Sequence, residues 1–239
     1  LNTQSGLLKD TQVRKAIAMA IDRKKLSEIF ESGYKPATSF VPDVLVGFDK
    51  KAGHEFDPKK ARELLQKSVA STSHLPPLDL LTISFEDQVI LAQFIQSELK
   101  KNLGLQVRIH VLEPKRYYSP QLNSLDYDMQ INFWGADFPD ADSFLSIFMS
   151  ESRLNRYKWS SVAYDKLVLA ARAEHLPKKR TKLYRDAQRI LQVDSPATIP
   201  LHYGTVRGLV RQEVQGFKPK PIEWWVFAGL EKKPSIPNS

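Results

Sequence analysis

Between Leu78 and Phe133 the sequence switches repeatedly between two apolar periods, and that switching restricts the chain to a narrow set of folds. Leu78 to Phe85 reads as a strand. From Asp87 to Leu103, the residues Leu91, Phe94, Ile95 and Leu99 recur at helical spacing, and Gly104 stands where the helix should stop. Leu105, Val107, Ile109 and Val111 then alternate with Gln106, Arg108 and His110, a period of two. A short helix is expected over 115–122, after which Tyr127, Met129, Ile131 and Phe133 alternate again. Strand, helix, strand, helix, strand is the order of an α/β layer with right-handed crossovers. The strand that ends near Phe133 is expected at the centre of the sheet.

Helices flank this unit. Asp10 can cap one that runs from about Thr11 to Ser32, with Val13, Ile17, Ala20 and Ile21 on one face and Gly33 as its stop. Residues 34–56, with Pro36, Pro42, Gly47 and Gly53, read as a long irregular connection. Asp57-Pro58 opens another helix that reaches about Val69. Further on, helices are expected near 143–149, 161–174 and 178–193, the last with a stripe of Leu183, Tyr184, Ala187, Ile190 and Leu191. Short strands are expected over 199–203 and 206–210. The tail carries the apolar run Trp224-Trp225-Val226-Phe227, and no internal repeat is visible.

Composition removes several classes of function. The chain of 239 residues has no cysteine, which excludes disulfides, thiolate nucleophiles and Cys-based zinc sites. Its net charge of +8 raises the question of nucleic acid. The basic residues come in short clusters on helical faces, Arg23-Lys24-Lys25, Lys59-Lys60 and Lys178-Lys179-Arg180, so they read as solvated helix surface and no nucleic-acid partner is expected. His54, His74, His110, His175 and His202 show no metal-ligand spacing, and neither a metal nor a cofactor is expected. No run approaches the roughly 18 to 20 apolar residues of a membrane span. The start, Leu1-Asn2-Thr3-Gln4, has neither the basic nor the apolar region of a signal peptide, and the chain is expected to be part of a longer protein.

Asp137, Asp140 and Asp142 invite comparison with a calcium loop, but Asp142 stands where that loop needs Gly and Phe148 where it needs Glu. Asp140 and Asp142 are expected to cap and compensate the helix that follows. Without a Gly-rich phosphate cradle or a nucleophile elbow, no enzyme is expected. A hydrolase using these three carboxylates is a less favoured alternative, because no water-activating partner accompanies them.

The segment from Asn132 to Asp140 carries the functional reading. In open α/β sheets, ligands bind beyond the carboxyl ends of strands. Gly135 leaves room for a ligand backbone, Trp134 offers an apolar wall with one N–H donor, and Asp137 is an acceptor-only group suited to an ammonium ion. The competing reading makes Asp137 a helix cap and Trp134 ordinary core.

The chain also resembles the peptide-binding subunits of ABC importers, the oligopeptide- and dipeptide-binding proteins. Val13-Arg14-Lys15-Ala16-Ile17-Ala18-Met19-Ala20-Ile21-Asp22-Arg23 is similar to that family's "VRxAxxxAIDR" helix, and Asp57 to Leu65 to its next helix. Leu103 to Val107, Tyr127 to Leu145 and Ile199 to Tyr203 resemble three later blocks in the same order. The resemblance implies a periplasmic-binding-protein type II-like lobe, a mixed sheet flanked by helices. Residues 1–203 would be a carboxyl-terminal lobe and 204–239 a segment returning to a missing amino-terminal lobe, with Trp224, Trp225 and Phe227 packing there. It implies small peptides as ligands, ABC permease subunits as partners and a periplasmic or extracytoplasmic, membrane-associated location.

Carried over, Asp137 would bind the peptide's α-ammonium group, with Trp134, Gly135 and Ala136 lining the cleft. Asn155 and Tyr203 fall at ligand-contacting positions, and His202 replaces an aromatic beside the tyrosine. Ile131 and Asn132 stand where the oligopeptide binders place a basic residue, so a contact to the peptide's carboxyl end is missing there. Nickel, haem and sugar binders of the same family are the nearest alternatives.

Overall fold

The computed structural model describes residues 1–30, 34–70, 75–119, 127–204, 208–218 and 229–233. Its first long helix is shorter than the apolar pattern suggests. Asp10 caps α1 (Thr11–Ala20) by accepting the Gln12 N–H at 2.7 Å. At Ile21 the backbone turns extended, and the Asp22 carboxylate caps a separate helix, α2 (Arg23–Ile29), by accepting from Lys24 and Lys25. The expected single helix is therefore two, because a short carboxylate satisfies free N–H groups better at a helix start than in an interior. Gly33, the expected stop, lies outside the described residues.

A short strand, β1 (Lys35–Pro36), follows within the irregular connection. Then come α3 (Pro58–Ser68), capped by Asp57 with Pro58 in its first turn, β2 (Leu78–Ile83) and α4 (Glu86–Leu103). Gly104 ends α4 in the left-handed conformation, φ 71°, which a side chain would disfavour. β3 (Val107–Leu112), α5 (Pro114–Tyr117) and β4 (Met129–Gln130) complete the unit. Of the strand expected over 127–133, only Met129–Gln130 is strand, with the Asp128 and Ile131 N–H groups still bonding Asp79 and Leu81 of β2.

β2 pairs in parallel with both neighbours, giving the order β3-β2-β4. The strand at the centre is β2, not the one leading to Phe133. The far edge of β4 is met by the amino-terminal segment instead: the Asn2 N–H donates to the Asp128 carbonyl at 2.8 Å and its side chain donates to the Tyr127 carbonyl at 2.8 Å.

Beyond β4 come α6 (Asp142–Leu145), α7 (Val162–Ala173) and α8 (Pro177–Arg189), which runs into a wider π turn at Ile190–Asp194. β5 (His202–Tyr203) pairs antiparallel with β1, and two tail segments, β6 (Val214–Gln215) and β7 (Glu231–Lys232), pair with each other. Pairing thus occurs in both senses. Of the strand expected over 206–210, residues 208–210 are irregular and 206–207 lie outside the described residues, as do Trp224, Trp225 and Phe227.

Among the described residues two large apolar cores result, beside a small cluster of Leu81 and Tyr127. The first joins α1, α3 and α4 to the sheet through Ile17, Leu65, Leu80, Leu91, Leu99 and Ile131. The second gathers Phe144, Phe148, Trp159, Tyr164, Tyr184 and Leu191 from the helices after β4, and it takes Val41 and Leu45 from the 34–56 connection. Gly47 passes so close that a Cβ there would sit 2.8 Å from that of Ala141, and its φ of 101° independently excludes most side chains.

Arg14 ties α1 to the late segment before β5. Its side chain is buried, and it donates to the carbonyls of Pro196 (2.6 Å), Leu8 (2.7 Å) and Lys9 (3.1 Å) and to the hydroxyls of Thr11 and Ser195. No carboxylate lies among these acceptors. Replacing Arg14 by Met leaves buried carbonyls unpaired, and urea unfolding should show a loss of about 3 kcal/mol. Arg14→Lys should recover only part of it, because a single ammonium cannot span acceptors on both sides of a planar fork.

Candidate functional site

The chain crosses from one core to the other just after β4. Ile131 belongs to the first core, while Ala136 and half-buried Trp134 belong to the second. Ile131 is pinned twice: its N–H donates to the Leu81 carbonyl at 2.9 Å, and its carbonyl accepts from the Tyr117 hydroxyl. Between the anchors, Asn132 and Phe133 face solvent, with Asn132 donating to the Tyr157 hydroxyl at 3.1 Å.

Ser143, in the first turn of α6, fixes the other end. Its carbonyl accepts from the Trp134 indole N–H at 2.8 Å and its hydroxyl accepts from the Asp137 backbone N–H at 2.9 Å. The Trp134 donor is thereby committed within the protein, and what the ring can offer a ligand is its surface. Gly135 is half-buried and is not in the left-handed region. Phe133 and Phe138, 53% and 46% exposed, are large aromatic side chains beside Asp137 that sequence pattern did not single out.

The three carboxylates of this segment differ sharply. Asp140 accepts from both Nη atoms of Arg180 and from the Asp142 N–H. Burial works to raise its pKa, but the Arg180 hydrogen bonds, the backbone N–H and the nearby guanidinium charge hold it below the usual carboxylate range. Asp142 accepts from Arg172 Nε at 2.8 Å. Neither caps α6 as expected: the N-cap position is Ala141, with no side-chain cap bond, the Asp140 side chain accepts only the Asp142 N–H from the helix backbone, and both carboxylates are ion-paired. Asp137 is exposed, and no ion pair among the described residues includes it. Nor does its carboxylate cap α6; only its backbone N–H is engaged.

The remaining candidates sit apart from this cluster. Asn155 donates to the carbonyls of Met149 (3.2 Å) and Trp159 (2.7 Å), closing the loop before α7, and its buried Oδ1 has no hydrogen-bond partner among the described residues. The Tyr203 hydroxyl accepts from the Ser39 N–H and donates to the Ser39 carbonyl at 2.8 Å. His202 packs against Tyr34, ring centroids 4.4 Å apart, with a buried Nδ1 lacking a partner. Among the described residues no hydrogen bond, ion pair or ring contact joins Tyr203 or His202 to the Trp134–Asp137 segment. A recess of about 400 Å³ lined by Met19, His54, Phe56 and Lys60 shares no residue with that segment either. No three His, Asp or Glu side chains among the described residues gather where a metal ion could sit.

Fold and segment together place an exposed carboxylate, in no ion pair among the described residues, where the chain passes between two cores. The chain belongs to the bacterial extracellular solute-binding proteins of family 5, whose middle-region model matches residues 1–156. It is 31% identical over 224 residues to the periplasmic murein peptide-binding protein MppA of Escherichia coli (strain K12), covering 90% of this chain and 41% of that protein. It is 27% identical to the dipeptide-binding protein DppE of Bacillus subtilis (strain 168), covering 92% of this chain and 42% of that protein. It is 28% identical to the probable deoxycholate-binding periplasmic protein YgiS of Escherichia coli (strain K12), covering 90% of this chain and 41% of that protein.

Among solved structures, the murein tripeptide binding protein MppA of Escherichia coli superposes with a TM-score of 0.81 at 29% identity, covering 90% of this chain and 43% of its own. A peptide-binding protein of a peptide ABC transporter superposes at 0.75 with 28% identity, covering 84% of this chain and 95% of its own. The chain spans about two fifths of the length of the curated relatives it matches.

Burial lowers the pKa of His202, with Asp87 opposing, and burial likewise lowers that of His54. The unfolded chain then binds more protons below the ordinary histidine value of 6.5, so this stability is present above that pH and is lost as pH falls. Urea midpoints measured between pH 7.5 and 5 should decline for the native chain. They should decline less steeply in His202→Phe, with His54 accounting for part of the remaining slope.

Proposed function

We propose that the chain is the carboxyl-terminal lobe of a solute-binding protein that captures small peptides, with Asp137 as the counter-ion for the peptide's α-ammonium group. The observation that carries this reading is the selective pairing of the carboxylates. Asp140 and Asp142 are held by Arg180 and Arg172, whereas Asp137 presents its charge to solvent on a backbone pinned through Ser143. A carboxylate enclosed by a closing second lobe would cost on the order of 3 kcal/mol if left unpaired, and a ligand ammonium removes that penalty. Trp134, Gly135 and Ala136 line the approach, and extended backbone there can hydrogen-bond a peptide in the manner of strand addition.

In this reading residues 1–203 are the lobe and residues 204–239 return to an amino-terminal lobe. The whole protein delivers its ligand to ABC permease subunits on the extracytoplasmic side of the membrane, without covalent chemistry. Asn155, His202 and Tyr203 belong to the cleft wall more distantly, since the polar groups of Asn155 and Tyr203 hold backbone and the His202 ring packs on Tyr34. Ile131 is core and Asn132 is bonded to Tyr157, so this segment supplies no cation for a peptide carboxylate. An anionic ligand such as a bile acid would meet like charge at Asp137. The carboxylate hydrolase is disfavoured because two of its three acids are occupied by arginine.

A single lobe offers one wall of the cleft, so binding by this chain should be weak, in the millimolar range. Backbone NMR spectra of the chain titrated with a free dipeptide should shift around Gly135 to Phe138, and the shifts should vanish with the N-acetylated dipeptide and in Asp137→Asn. Equal shifts with the acetylated peptide would remove the role assigned to Asp137.

A further inference from the structure

The α7 helix is apolar on two opposite faces, and packing within the chain accounts for only one of them. Tyr164, Val168 and Ala171 point into the second core. Val162, Leu169 and Ala173, which fall within about 40° of one another in helical projection, point the opposite way. Val162 is 71% exposed and Leu169 is 52% exposed, and Leu176, in the turn to α8, is 55% exposed. A surface helix of a globular protein ordinarily carries polar residues on that side.

A second, independent feature adjoins the stripe. The first turn of α8 contains no acidic residue and carries Lys178 and Lys179, both exposed, at the end of the helix where its dipole is positive. Their charge works against the helix and so is not explained by the helix's own stability. Nearby cations Arg172, Arg180 and Lys182 are paired with Asp142, Asp140 and Asp186. Among the described residues Lys166, Lys178 and Lys179 are in no ion pair. The neighbouring acids Glu174 and Asp165 accept the Leu176 and Ser150 N–H groups, which turns their carboxylates toward the backbone while leaving them charged.

We propose that the outer face of α7, with the first turn of α8, docks on an anionic lipid surface. Val162, Leu169 and Ala173 on a helix about 18 Å long, with Leu176 just beyond it, are too little for a stable protein interface, which buries about 1,200 Å² or more. They suit shallow, reversible insertion at a headgroup boundary, with lysines extending to lipid phosphates. Such docking would hold the chain near the membrane without a spanning segment.

Co-sedimentation of the whole chain with unilamellar vesicles tests this. Binding to phosphatidylcholine vesicles containing about 30% phosphatidylglycerol should exceed binding to pure phosphatidylcholine at least about tenfold, and about 0.3 M salt should weaken it. The variant Val162→Ser/Leu169→Ser/Leu176→Ser should lose at least about tenfold in partitioning, and Lys178→Gln/Lys179→Gln should lose several-fold together with the salt dependence. All five positions are exposed, so urea midpoints should stay unchanged. Equal binding to both vesicle types, or partitioning insensitive to both variants, would overturn the proposal. Concentration-dependent dimerisation abolished by the triple variant, with no vesicle binding, would overturn it in favour of a second copy of the chain.

Discussion

Two guanidinium groups that form no ion pair among the described residues hold the early helices to the late part of the chain, and the second core depends on them. From α1, Arg14 bonds the Pro196 carbonyl and the Ser195 hydroxyl; from α2, Arg23 bonds the Pro200 carbonyl at 2.7 Å and reaches those of Ala18, Ile21 and His54. Burial pulls the Arg23 pKa down to about 10, with Asp22 opposing, so both side chains remain charged donors at neutral pH. Segment 195–200, fixed in this way, leads directly into Tyr203. The Tyr203 hydroxyl then bonds both backbone groups of Ser39, and the Ser39 hydroxyl reaches Gln188, whose amide in turn donates to the Gly47 carbonyl. A pattern of arginines near the amino end therefore sets the loop that completes the second core.

The functional segment uses both cores without belonging wholly to either. Ile131 is buried on one side and Ala136 on the other, so the backbone between them is held at two ends and cannot collapse onto the sheet. Such anchoring keeps a carboxylate in solvent without requiring a partner. It also explains the exposed Phe133 and Phe138, which a globular domain would otherwise bury.

Local chemistry made much of the fold legible. The caps at Asp10 and Asp57, Pro58 in a first turn and Gly104 at a helix end act within a few residues, and each is found where the sequence placed it. The break at Asp22 was hidden because Ile21 continues the helical apolar pattern across it. Strand order was hidden for a different reason: no local signal reveals that Asn2 meets the edge of β4, 126 residues later at Asp128. The site divides in the same way. Asp137 could be named as a candidate from a glycine-containing segment after a strand. Its contrast with Asp140 and Asp142 was not, because the pairs with Arg180 and Arg172 span sequence separations of 40 and 30. Ser143, which positions both Trp134 and Asp137, carries no sequence signature.

The net charge of +8 is a sum over three physically different populations. Arg14 and Arg23 are spent on backbone carbonyls in or near the interior, where their role is geometric and their field is masked by the acceptors around them. Arg108, Arg172, Arg180 and Lys182 are matched by nearby aspartates and contribute little at a distance. What remains, including Lys166, Lys178 and Lys179, is exposed charge that acts over roughly a Debye length of 10 Å at 0.1 M salt. A charge total read from composition cannot separate these populations, which is why the same excess can suggest a nucleic-acid surface in the sequence and a confined basic edge in the fold. Within the segment after β4 the same sorting separates exposed Asp137 from Asp140 and Asp142, whose charges are matched by Arg180 and Arg172.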